Sequence, residues 1–136
     1  MKGQCLCGAV RLTVPEVREA GACHCDYCRR WGGGPLLSVH CGPDVVVEGR
    51  EHVAVYASSA WAERAFCRHC GSHLYYRMLG NGSHFVPAGL LEDAELELTM
   101  QIFIDRKPGY YALANQTPML TGEEVMRMFA GGEGQG

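Results

Sequence analysis

The stretch CHCDYC, Cys23 to Cys28, places three thiols within six residues. Thiolates at this spacing suit a soft divalent metal, and a zinc held only by protein takes four ligands in a tetrahedron. Three ligands leave one place over, which is the arrangement of a catalytic zinc open to water or substrate. Two further clusters flank the triple: GQCLCG offers Cys5 and Cys7, and FCRHCG offers Cys67 and Cys70. Both end in glycine, Gly8 and Gly71, so the chain can turn sharply enough there to aim amide N–H groups at the sulfurs. The match pairs Cys5, Cys7, Cys67 and Cys70 as a closed, structural four-thiolate zinc that ties the first strand to one some sixty positions later. The expectation is two zinc ions per chain, the second on Cys23, Cys25 and Cys28.

Arg29 and Arg30 directly follow the triple. Two guanidinium groups favour deprotonated thiols and attract an anion, such as a substrate carboxylate. Two residues compete for the open place. Cys41, the eighth cysteine, stands apart from the clusters and is either a core residue or a fourth ligand. His24 lies inside the triple and is either a ligand or a proton-transfer group aimed elsewhere. Closure by either one would turn the site into part of a noncatalytic zinc module that binds a protein partner. Zinc deaminase chemistry needs an H-x-E ahead of a P-C-x-x-C, and the sequence contains neither.

The elements that must position these residues read as mostly β. Alternating or β-branched runs at Ala9–Val14, Pro35–Cys41, Asp44–Glu48, His52–Tyr56, His73–Met78 and Thr99–Asp105 predict short strands. Turn residues separate them, and Asn81-Gly82 signals a hairpin, so antiparallel pairing is expected. One good helix follows at Thr121–Ala130, with Thr121 and Glu124 as a capping box and Val125, Met128 and Phe129 on one face. The final GGEGQG, residues 131–136, has a disordered composition.

A chain of 136 residues suits a single domain, 1–136. The net charge of −3 and the lack of a basic stripe argue against nucleic acid. No apolar run reaches the length of a membrane span or signal peptide, so a cytoplasmic protein with reduced thiols is expected, with no membrane partner. Nothing in the sequence sets an oligomeric state.

GQCLCGAV, CHCDYCRR, FCRHCGSHL, PAGLL and IFIDRKPGYY occur in the order and spacing of the glutathione-dependent formaldehyde-activating enzyme family, also called the centromere-protein-V-like domain. The resemblance spans about residues 3–111. It implies an Mss4-like fold of several coiled antiparallel sheets around zinc, and it implies the same two cysteine sets as ligands. It also implies carbon–sulfur lyase chemistry on a small thiol adduct such as glutathione plus formaldehyde. Gln101 stands where such proteins often carry histidine, and Tyr110 and Tyr111 where tryptophan commonly follows the proline, so the pocket is expected to differ. On this reading Arg29 and Arg30 hold a glutathione carboxylate, and Trp31 with Gly32, Gly33 and Gly34 walls the pocket.

Overall fold

A computed structural model describes residues 1–131, with side chains to Met128. The eleven strands in chain order are β1 (Lys2–Gln4), β2 (Arg11–Thr13), β3 (Glu19–Cys23), β4 (Leu36–Gly42), β5 (Val46–Glu48), β6 (Val53–Tyr56), β7 (Ala62–Cys67), β8 (His73–Met78), β9 (His84–Pro87), β10 (Glu97–Ile102) and β11 (Met119–Leu120). They form a three-stranded sheet, β1-β2-β5, and an eight-stranded sheet, β11-β10-β3-β4-β9-β8-β7-β6. The fold is mostly β, as expected, and five of the strands were not foreseen: β1, β3, β7, β9 and β11. Two pairings depart from the antiparallel rule, since β10 runs parallel to both β3 and β11.

One core cluster serves both sheets. Leu12 and Val47 from the small sheet pack with Val39, Ala65, Leu74 and Val86 from the large one, and Cys5, Cys41 and Cys67 belong to the same cluster. Removing such apolar surface from water contributes roughly 25 cal/mol per Å² buried, the main favourable term of folding.

The Asn81-Gly82 turn joins β8 to β9 as expected: the Gly82 amide donates to the Met78 carbonyl, and Tyr76 and Arg77 pair with Phe85 and His84. Two α-helices complete the described residues: α1 (Asp26–Gly32), which the sequence did not signal, and α2 (Gly122–Gly131). The capping box of α2 is formed on both sides, with Glu124 N–H donating to Thr121 Oγ1 at 3.1 Å and Thr121 N–H donating to Glu124 Oε1 at 2.7 Å. Val125 of α2 is buried, but Met128, expected on the same face, is 51% exposed. Gly131 is the last helical residue rather than the start of a tail, and residues 132–136 lie outside the described part.

Gly49, in the connection from β5 to β6, fixes how the first turn of the chain lies against the rest. Its φ is +85°, and a β-carbon there would sit 2.1 Å from the Ala9 carbonyl oxygen, a backbone atom that cannot step aside. Gly49→Ala is therefore expected to cost roughly 2–4 kcal/mol, from left-handed strain plus the displaced backbone. Urea denaturation measures it; a loss below about 1 kcal/mol would show that Ala9 yields freely.

Candidate metal centres and the adjoining cavity

The turn between β1 and β2 presents Cys5 and Cys7, and the turn between β7 and β8 presents Cys67 and Cys70. All four Sγ atoms lie within 4.8 Å of one another, with Cys5–Cys7 at 3.7 Å and Cys7–Cys67 at 3.8 Å. Zinc–sulfur bonds of about 2.3 Å in a tetrahedron place sulfurs about 3.8 Å apart, so these residues fit that ion. The two glycines act alike, as the sequence suggested: φ is +81° at Gly8 and +78° at Gly71, and each amide donates to the carbonyl of the first cysteine of its pair. Amides then reach the sulfurs, from Val10 to Cys5 at 3.4 Å and from Ala9 to Cys7. The Ser72 hydroxyl and amide pull the Cys70 thiol down to about 5. Ser72 was not foreseen. Its hydroxyl lies 3.2 Å from Cys70 Sγ and accepts from Leu6 N–H at 3.0 Å, so it stitches one turn to the other.

The second cluster grows from β3 into α1. Cys23 ends the strand, Cys25 caps the helix by accepting from Cys28 N–H at 3.3 Å, and Cys28 lies in its first turn. The three sulfurs lie within 4.8 Å of one another. Hydrogen bonding from its two thiol neighbours holds the Cys25 thiol at about 2, while the same crowding pushes Cys23 far up. The thiolate is thus favoured at Cys25 and the thiol at Cys23, and three sulfurs this close are a donor set that suits a metal.

Neither candidate for closing this site does so. Cys41 is buried in the core and its thiol donates to the Val39 carbonyl at 3.5 Å. His24 is fully buried with both ring nitrogens engaged: Nδ1 lies 2.7 Å from the Tyr111 hydroxyl and Nε2 lies 2.9 Å from Gln101 Oε1. Of the three residues read as departures, Gln101 and Tyr111 are the two partners of His24, while Tyr110 is exposed. Among the described residues no fourth Cys, His, Asp or Glu joins the triple.

Arg29 and Arg30 separate in role. Arg29 donates through Nε to the His24 carbonyl at 3.1 Å and pairs with Asp26 at 2.9 Å, bracing the backbone of the triple. Asp26 also accepts from Arg106 at 2.7 Å, and that hydrogen bond holds its carboxyl below the usual range. Arg30 is exposed. The arginine that meets a sulfur is Arg64 of β7, only 4% exposed, whose Nη2 and Nη1 lie 3.8 and 4.0 Å from Cys28 Sγ. Its guanidinium carbon lies 4.8 Å from the centre of the Tyr76 ring, a cation–π contact. Arg64 and Ala65 are both buried but on opposite faces of β7: Ala65 and Cys67 join the core cluster, and Arg64 faces Cys28. The one sequence signal was an arginine in the short run AERAFC just ahead of Cys67.

Beside Cys28 and Arg64 opens a cavity of about 260 Å³, lined also by Trp31, Leu36, Leu37 and His73. Trp31 has two stacking partners. Its ring stacks on His73 at 4.6 Å and on Tyr56 at 6.1 Å.

The match to protein-family descriptions decides what this arrangement belongs to: residues 1–106 fit the description "Glutathione-dependent formaldehyde-activating enzyme". The chain belongs to that family. A Schizosaccharomyces pombe protein described as an uncharacterized lyase is 39% identical over 129 residues, covering 93% of this chain and 94% of its own. The crystal structure of a Rhodobacter sphaeroides protein is 30% identical, with a TM-score of 0.57 over 69% of this chain and 90% of that one. Both cysteine clusters and Arg64 fall inside the segment that carries the family match. Among the described residues no helix is long and apolar enough to cross a membrane.

The two clusters should answer differently to loss of a ligand. Cys67→Ser breaks a centre that joins two turns, so zinc content and the cooperative far-UV melting transition should both collapse. Cys25→Ser should remove at most one zinc equivalent and leave the melting transition close to the parent. Metal analysis with circular dichroism reads both; loss of both metals from Cys25→Ser with unfolding would overturn the division of the cysteines.

Proposed function

We propose that the protein is a zinc-dependent carbon–sulfur lyase acting on the adduct of a small thiol, such as glutathione, with an aldehyde. The observation that carries this reading is the Cys23–Cys25–Cys28 triple, whose two candidate fourth ligands are committed elsewhere while a cavity opens beside Cys28. The family description and the relative described as a lyase support the reaction class. Cys5, Cys7, Cys67 and Cys70 hold a structural zinc, and Cys23, Cys25 and Cys28 hold a second one. Bound to three thiolates, zinc supplies a weak Lewis acid towards water but a good seat for an incoming thiol as thiolate.

The chain's own residues do the rest. Arg29 and Asp26 keep the triple in shape before substrate arrives, so no ordering cost falls on the binding step. Arg64 neutralises part of the sulfur charge from a buried position. Arg30, exposed on the same helix, meets a glutathione carboxylate. The alternative, a noncatalytic Mss4-like module that binds a protein partner, calls for a closed second site. The commitments of Cys41 and His24 favour the enzyme.

A thiol that enters the site as thiolate must give up its proton. Glutathione titrated into the zinc-loaded protein at neutral pH should therefore release about one proton per site. In cobalt-substituted protein the thiolate charge-transfer absorption should grow in parallel. Arg30→Ala should weaken glutathione only a few-fold, as an exposed ion pair would in water, and should leave a short thiol without carboxylates unaffected. If glutathione and short thiols alike leave the cobalt spectrum and the proton balance unchanged, the lyase reading gives way to the binding module.

A further inference from the structure

Among the described residues the buried Arg64 meets Cys28 Sγ and the Tyr76 ring and no carboxylate. A guanidinium is planar, always charged and able to donate five hydrogen bonds, so two long contacts to sulfur leave most of its capacity unused. It also lines the cavity. An anionic or polar oxygen that reaches the cysteine triple from that cavity meets it.

Chemical distance identifies the oxygen. In the adduct of a thiol with an aldehyde, the hydroxyl sits on the carbon attached to sulfur, two bonds from the sulfur itself. The carboxylates of a peptide-sized thiol lie several bonds further out. A guanidinium in contact with a cysteine of the triple is placed for the near oxygen and not for the far ones.

The size of the cavity adds the second constraint. Its volume is about 260 Å³. That is several times a hydroxymethyl group, yet below the range that encloses a whole ligand. Trp31, Leu36 and Leu37 make much of its wall apolar, and Arg64 and His73 supply the polar groups.

We propose that this cavity holds the carbon substituent of an aldehyde larger than formaldehyde, with Arg64 gripping the oxygen on the carbon attached to the substrate sulfur. The inference rests on the lyase reading and narrows its substrate to 1-hydroxyalkyl thioethers with an apolar substituent of a few carbons. In the cleavage direction the C–S bond breaks and its electron pair stays on sulfur. The O–H electrons become the second C–O bond of the aldehyde, and the hydroxyl proton passes to His73, which later returns it to the departing thiolate. The sum is adduct to thiol plus aldehyde, with no redox change. Burial and the nearby charge of Arg64 keep the His73 imidazole below its ordinary pKa, hence neutral and able to accept.

Thioesters carry an oxygen two bonds from sulfur and serve as stable probes. The chain has two tryptophans, so in a Trp61→Phe background Trp31 alone reports on the cavity. S-isovalerylglutathione should quench Trp31 and bind about tenfold or more tightly than S-acetylglutathione. Leu37→Phe, which fills the cavity from its exposed rim, should erase that preference. Arg64→Lys should weaken both thioesters about tenfold and weaken glutathione itself, which lacks the near oxygen, by a clearly smaller factor. If glutathione binds but the acetyl thioester equals or beats the isovaleryl one, the cavity assignment falls and the lyase reading stands. An equal loss for glutathione and thioesters in Arg64→Lys would give Arg64 a merely structural part; should that variant fail to fold, the Leu37→Phe comparison still decides. If neither glutathione nor the thioesters bind, both readings fall together.

Discussion

Four sulfurs from two turns sixty residues apart meet at one centre, and the rest of the molecule is arranged around that meeting. A three-stranded sheet of three-residue strands has little surface of its own to bury, and such a unit is marginal alone in water. The turns of Cys5–Cys7 and Cys67–Cys70 join it to the larger sheet at the shared core, with Cys5 and Cys67 both fully buried. Ser72 and the Gly8 and Gly71 turns turn donors toward those sulfurs, so charge accumulating there is met by dipoles already in place.

The second cluster follows a different logic. It sits at a strand-to-helix junction rather than between two turns, and nothing in the core needs it closed. Its support comes from the side: Arg29 clasps the backbone, Asp26 links Arg29 to Arg106, and His24 anchors the loop from beneath through Gln101 and Tyr111. A site held at its edges keeps its geometry while leaving a face accessible, the combination that binding requires.

The cysteine clusters were legible because metal chemistry limits spacing and because glycine marks a knuckle. Strands with branched apolar residues, such as β4 and β8, and the capping box of α2 were legible for the same kind of reason: the signal is local. What escaped notice was written in small residues or in register. β3 (EAGAC) and β7 (AERAFC) bury alanines, whose alternation carries almost no hydrophobic contrast, yet β3 is an inner strand of the large sheet. α1 hid because its cap is a cysteine that reads first as a metal ligand. Arg64 hid because it is buried on the face of β7 that Cys28 of α1 meets, and the parallel partners of β10 arise only once distant segments have assembled. Met128 shows the converse error, since a helix period predicts a face but not how far the neighbouring surface extends.

Arg64 and Cys67 lie three residues apart on one strand, the first touching Cys28 and the second belonging to the four-sulfur centre. Whatever fixes Cys67 therefore also steadies the cation beside the other cluster. The two clusters are then linked through one strand. Linkage is reciprocal, so if filling the first favours filling the second, the reverse holds by the same factor. Positive linkage of that kind would leave fewer half-loaded molecules than two independent sites give.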